Sequence, residues 1–116
     1  MHRLSVGAFT LSFETILKRQ YPNHTIAKSL TGKPSALAFS LASNPYHLYI
    51  LGHKLGAQSR LYMVGDSLQS DINGGHANGF RTLLVETGNY KSGSDHGPAD
   101  FVVPSVYEAV DEIIRD

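Results

Sequence analysis

The segment Leu61–Asp71, LYMVGDSLQSD, constrains this chain more than any other. Four apolar residues run straight into Gly65-Asp66, and a second carboxylate, Asp71, follows five positions later. An unbroken apolar run ending in Gly-Asp is the pattern of a strand buried on both faces, as in parallel sheets. Open parallel sheets take their ligands at the carboxyl ends of the strands. The spacing therefore puts Asp66 at a binding edge, with Asp71 about one helical turn behind it, where a helix is expected to start.

The length, 116 residues, fits one small domain with a single core, and a hydrophobic content of 41% is ample to fill it. Ten basic residues balance ten acidic ones, so no electrostatic footprint for nucleic acid or an anionic membrane exists. The absence of cysteine excludes disulfide staples, thiolate metal sites and a cysteine nucleophile, and it fits a reducing compartment. No apolar stretch approaches the roughly 20 residues of a membrane span. The start, MHRLSVGAF, lacks the apolar segment and cleavage site of a secretory signal. The expectation is a soluble, intracellular chain of the cytoplasm or mitochondrion.

Residues 7–20 place Phe9, Phe13, Ile16 and Leu17 at helical spacing, with Lys18 and Arg19 in the last turn where cations favour the helix dipole. Phe9 and Phe13 read as core. Tyr21-Pro22-Asn23 stops that helix, and His24–Thr31 reads as a short strand. Pro34 is expected to open the next helix, with Leu37, Ala38, Phe39 and Leu41 mostly along one side and Lys33 at its mouth. After Asn44-Pro45, the residues Tyr46, Leu48, Tyr49, Leu51 and Leu55 suggest a second helix or a kinked continuation ending near Gly56.

Beyond Asp71, INGGHANGF is glycine-rich for a helix, and Asn78-Gly79 is a left-handed stop. RTLLVE at 81–86 is a second buried-type strand, NYKSGSDHGP at 89–98 a polar loop, and Phe101–Val103 a third strand. Pro104-Ser105 starts a last helix, with Val106, Ala109, Val110, Ile113 and Ile114 assigned to its inner face. This order of elements is half of a doubly wound sheet.

Two carboxylates near a strand end suit a hard cation such as Mg2+, which keeps several waters and takes only one or two protein carboxylates. Asp66 supplies one direct bond on that reading, and Asp71 holds a metal-bound water or orients a lysine. The competing reading makes Asp66 a turn cap and Asp71 the N-cap of the next helix. Lys33 is either a phosphate-binding ammonium beside a helix N-terminus or an ordinary solvated lysine. Thr31 and Ser35 beside it are either hydroxyl donors or caps. Gly74 and Gly75 either admit a close backbone approach or merely weaken a surface helix. The six histidines show no HxxxH or HxH spacing and read as surface or core residues. Glu86 and Thr87-Gly88 either edge the crevice or turn the chain.

Together, GKPS at 32–35, VGDSLQSDINGG at 64–75 and GFRTLLVETGNY at 79–90 resemble the haloacid dehalogenase (HAD) superfamily. The closest likeness is to its class IIA, which includes sugar-phosphate, phosphoglycolate and 4-nitrophenyl phosphate phosphatases. Within that class RLSVGAF at 3–9 looks most like the cat eye syndrome critical region type. The resemblance implies a Mg2+-dependent phosphatase acting on a small phosphorylated substrate through an aspartyl-phosphate. It makes Lys33 the third-motif lysine that steadies nucleophile and phosphoryl group, with Ser35 beside it at the substrate. Asp66 becomes the fourth-motif magnesium ligand, and Asp71 its partner acid at the metal and in catalysis. It also makes residues 1–31 the tail of a cap domain and 32–116 the carboxyl-terminal half of the core domain.

The chain departs from that family in two respects: it has no DxD nucleophile motif, and no upstream strand carrying the second-motif Ser or Thr that binds phosphate. The fold expected is therefore α/β, half of a HAD-like (Rossmann-like) three-layer parallel sheet lacking the nucleophile strand. A covalent mechanism cannot run on this chain alone. The strand at 61–64 would keep one edge unpaired, a template for a second copy of the chain or for a missing amino-terminal half. The leading expectation is the carboxyl-terminal portion of a phosphatase. The alternative is a non-catalytic, self-associating module that binds metal, phosphate or protein. A complete flavodoxin-like or receiver-like domain is disfavoured because such folds use about five strands.

Overall fold

The computed structural model describes residues 6–50, 52, 54, 56 and 58–116. His2, His53, Leu51, Leu55 and residues 3–5, all used in the sequence reading, lie outside them. The described elements are α1 (Val6–Gln20), α2 (Ala36–Ala42), α3 (Pro45–Ile50), β1 (Tyr62–Gly65), a π-helical turn (Leu68–Ile72), α4 (Asn73–Ala77), β2 (Arg81–Val85), β3 (Phe101–Val103) and α5 (Val106–Arg115).

The three strands form one parallel sheet in the order β1-β2-β3, with Tyr62 opposite Arg81, Gly65 opposite Leu84 and Val85 opposite Val103. Alternation along β2 sends its apolar side chains to both faces. On one face Leu83 and Val85 join Val103 and Ala109 of α5, with Tyr62, Val64, Phe101 and Ile113 packed around them. On the other, Thr82 faces α4: a Cβ added at Gly75 would stand 2.8 Å from Met63 Cβ and 3.1 Å from Thr82 Cγ2. Gly74 meets α2 in the same way, its missing Cβ lying 2.6 Å from the Phe39 ring, which packs edge-on against Phe80. The Gly74-Gly75 pair is thus a double close approach, and it lets α4 touch the sheet on one side and α2 on the other.

Several expectations fail. His24–Thr31 forms no strand, and among the described residues no neighbouring strand offers it a ladder. Pro34 does not open α2: the helix begins two residues later, with the Ser35 side chain accepting from Leu37 N–H. The helix after β1 begins before Asp71, because the Ser67 hydroxyl caps the π-helical turn by accepting from Ser70 N–H at 3.2 Å. Phe9 and Phe13 are 78% and 54% exposed, and α1 has no buried residue. Of the five residues assigned to the inner face of α5, Ala109 and Ile113 pack on the sheet while Val106, Val110 and Ile114 are exposed. A three-stranded sheet is too narrow to cover the whole stripe.

The Cα radius of gyration is 17.6 Å, against about 13 Å for a compact chain of this length. Helix α1 is joined to the segment that follows it by the Lys28–Glu14 ion pair. Among the described residues, nothing pairs with the far edge of β1, as the sequence reading requires.

Candidate functional site

β1 delivers its carboxylate at the carboxyl end of the sheet. Gly65 is the last strand residue, and any side chain there would collide with the Asp71 carboxylate, so glycine at 65 is what lets Asp71 fold back against the strand. Asp71 is 4% exposed. A buried carboxylate needs compensating donors, and it has three: Lys33 Nζ donates to Oδ1 at 2.5 Å, Ser67 N–H to Oδ2 at 3.1 Å and Ser70 Oγ to Oδ1 at 3.3 Å. The Lys33 side chain remains about half exposed at 49% while its ammonium is anchored on the buried carboxylate.

Asp71 is therefore no N-cap, since Ser67 holds that position and the carboxylate turns inward. Ser35, next to the Lys33-Pro34 bond, spends an acceptor lone pair on the α2 cap and keeps its O–H as a donor. Asp66 sits half-buried one residue past β1. Its Oδ2 accepts from both the backbone N–H of Asn89, at 2.7 Å, and the Asn89 side-chain amide, at 2.8 Å. The structure thus joins Lys33 to Asp71 directly and ties Asp66 to the loop after β2. Lys33 lines a cleft beside α1 with Thr31 and Ser35, whereas Asp66 lines a separate cleft of about 380 Å³ with Gln69, Asn89 and Lys91.

The donor set suits magnesium in part. It consists of oxygen, with one carboxylate facing a cleft and a second engaged by a lysine, matching an ion that keeps most of its water. Among the described residues no cluster of three or more histidine, cysteine, aspartate or glutamate side chains that could hold a metal exists. Asn89 was missed in the sequence, where it reads as the first residue of a polar loop. The available signal was Thr87-Gly88, a turn after a second parallel strand, which must deliver its next residue to the rim that holds Asp66.

The opposite rim is structural. Asp116 accepts from Tyr62 OH at 2.7 Å and pairs with Arg81 and Arg60, while Asp100 binds Arg81 at 2.6 Å and Thr82 N–H at 2.8 Å. The Tyr62 hydroxyl, then the Arg81 guanidinium, hold the Asp116 carboxyl down at about 2. Burial works to raise Asp100, but the Thr82 donors and Arg81 leave it below its ordinary value.

A family model described as HAD-hydrolase-like matches residues 30–109. The chain is 32% identical over 115 residues to a cardiolipin synthase (CMP-forming) / mitochondrial hydrolase fusion protein of Schizosaccharomyces pombe, covering 93% of this chain and 18% of that one. It is 30% identical over 94 residues to the phospholysine phosphohistidine inorganic pyrophosphate phosphatase of Homo sapiens, covering 78% of this chain and 32% of that one. A thermostable NPPase from Geobacillus stearothermophilus, solved as a double mutant, shares the fold with a TM-score of 0.53 at 24% identity, over 82% of this chain and 34% of that chain. The chain spans between 18% and 34% of the length of these relatives.

Proposed function

The chain belongs to the HAD-like hydrolase family, and from that premise we propose that it is the carboxyl-terminal portion of a magnesium-dependent phosphatase acting on a small phosphate ester. The observation that carries this reading is the contact of Lys33 Nζ with the buried Asp71 carboxylate at 2.5 Å, at the rim where β1 ends in Asp66.

In this reading Asp66 would hold a magnesium ion, with Asp71 as its partner acid. Bound magnesium would neutralise charge on the phosphoryl oxygens. Asp71 fixes Lys33, whose exposed side presents an ammonium to the phosphoryl group, and the Ser35 O–H is a further donor toward it. The attacking carboxylate comes from outside this sequence, which has no DxD. It would displace the ester oxygen from phosphorus, the departing oxygen taking a proton from water to leave as the alcohol, and water would then cleave the aspartyl-phosphate to phosphate and the restored carboxylate.

Residues 1–31 serve as the tail of a cap and 32–116 as the core half. The lack of any buried residue in α1 supports that division. The setting is intracellular, cytoplasm or mitochondrion, a reading favoured by the absence of cysteine. Among the described residues no helix is long and apolar enough to cross a membrane.

Turnover of a generic phosphate ester with magnesium tests the proposal, for the chain alone and mixed with an amino-terminal polypeptide carrying DxD. The mixture is expected to turn over, and Asp66→Asn or Lys33→Ala in this chain to lower kcat/KM by at least about 100-fold. Turnover by the chain alone that survives Asp66→Asn would refute it. The free edge of β1 favours a second reading, a self-associating module without catalysis. A stable dimer that stays inert in the mixture selects that one.

A further inference from the structure

Asp66 is held by a residue that the magnesium reading does not use. Both donors of Asn89, its backbone N–H and its side-chain amide, converge on the same oxygen, Oδ2, at 2.7 and 2.8 Å. Among the described residues no donor reaches Oδ1. The loop is shaped around this carboxylate: Gly88 has φ +118°, and a Cβ there would run into Asp66 Oδ2. Only glycine brings the 88–89 backbone close enough to donate. An aspartate with one oxygen saturated by two donors cannot rotate freely, and it offers a cation only the other oxygen.

We propose that Asn89 is the positioning residue that locks Asp66 for one-oxygen coordination of a divalent cation, leaving Oδ1 for the ion at the cleft that Asp66 lines with Gln69 and Lys91. This deepens the reading of Asp66 as the magnesium ligand and rests on it. Hydrogen-bond partners of this kind orient a ligand and typically contribute about 10–100-fold in metal affinity. The backbone N–H survives any substitution except proline, so the side chain of Asn89 accounts for one of the two restraints.

The test titrates the full chain with Mn2+, reading bound ion by electron paramagnetic resonance, and records the Mg2+-induced infrared difference spectrum of the carboxylates. Asn89→Ala is expected to weaken Mn2+ binding by about 10-fold and to shift the carboxylate splitting from one-oxygen toward two-oxygen coordination, with an unchanged melting temperature. Asn89→Gln, which keeps an amide donor, recovers part of the affinity. Asn78→Ala is the control: it removes another asparagine's bond, from Nδ2 to the Gly74 carbonyl at 2.8 Å, and leaves Mn2+ affinity as it was. If Asp66→Asn abolishes binding but Asn89→Ala binds like the wild type with the same infrared splitting, the positioning role is overturned while the metal reading stands. If Asp66→Asn binds Mn2+ as the wild type does, both are overturned.

Discussion

Helix α1 and strand β2 are both rich in apolar side chains, and the chain treats them in opposite ways. Leu83 and Leu84 of β2 are fully buried, whereas Phe9, Phe13 and Ile16 of α1 are 78%, 54% and 56% exposed. The difference lies in partners. β2 has a strand on each side and helical layers above and below, so every residue it buries also completes a hydrogen-bond ladder. The π-helical turn and α4 pack against β2 from one face and α5 from the other. Apolar spacing specifies a face; it does not supply the surface that covers it. The two polar rims of the sheet differ as well: the amino-terminal rim closes on itself through Arg81, Asp100 and Asp116, while the carboxyl-terminal rim leaves Lys33 and Asp66 facing clefts.

Substitution in the core gives the largest expected contrast. Leu83→Ala should lower unfolding free energy by about 2–5 kcal/mol, whereas Phe9→Ala should change it by less than about 0.5 kcal/mol. Urea unfolding followed by circular dichroism measures both. Equal losses would mean that α1 is covered in solution and would erase the contrast.

A smaller effect concerns the closed rim. The Asp116 carboxyl is lowered from 3.8 to about 2, with the Tyr62 hydroxyl the leading cause. A carboxyl depressed by folding contributes stability that is complete above its unfolded value and lost as pH falls through its folded value. Asp116→Asn should therefore lower the melting temperature above pH 3.8, and the gap from wild type should close as pH falls to about 2. A gap that persists unchanged to that pH would show the carboxylate charge to be irrelevant to the rim.

The parallel sheet was legible because LYMV is an unbroken apolar run ended by Gly65-Asp66 and RTLLV carries three apolar residues into Glu86 and a turn. The helix stripes were legible as faces and misread as core. In α5 the apolar pattern marks five residues, yet a sheet of three strands covers only Ala109 and Ile113. Asp66 and Asp71 stood out by spacing, but the inward turn of Asp71 depends on the bare Cα of Gly65 and on the cap at Ser67, two details that spacing does not carry. Asn89 was hidden because its partner lies 23 positions away in sequence. Its contact exists only once β1 and β2 are set side by side.

The central claim is that Lys33, Asp66 and Asp71 serve one hydrated divalent ion and its anion. Anomalous diffraction from crystals of the full chain grown with Mn2+ and tungstate tests it most directly. The account predicts manganese bound directly to an Asp66 carboxylate oxygen, water between the ion and Asp71, and the oxyanion at Lys33 Nζ. Manganese bound away from Asp66, with no oxyanion at Lys33, would contradict it.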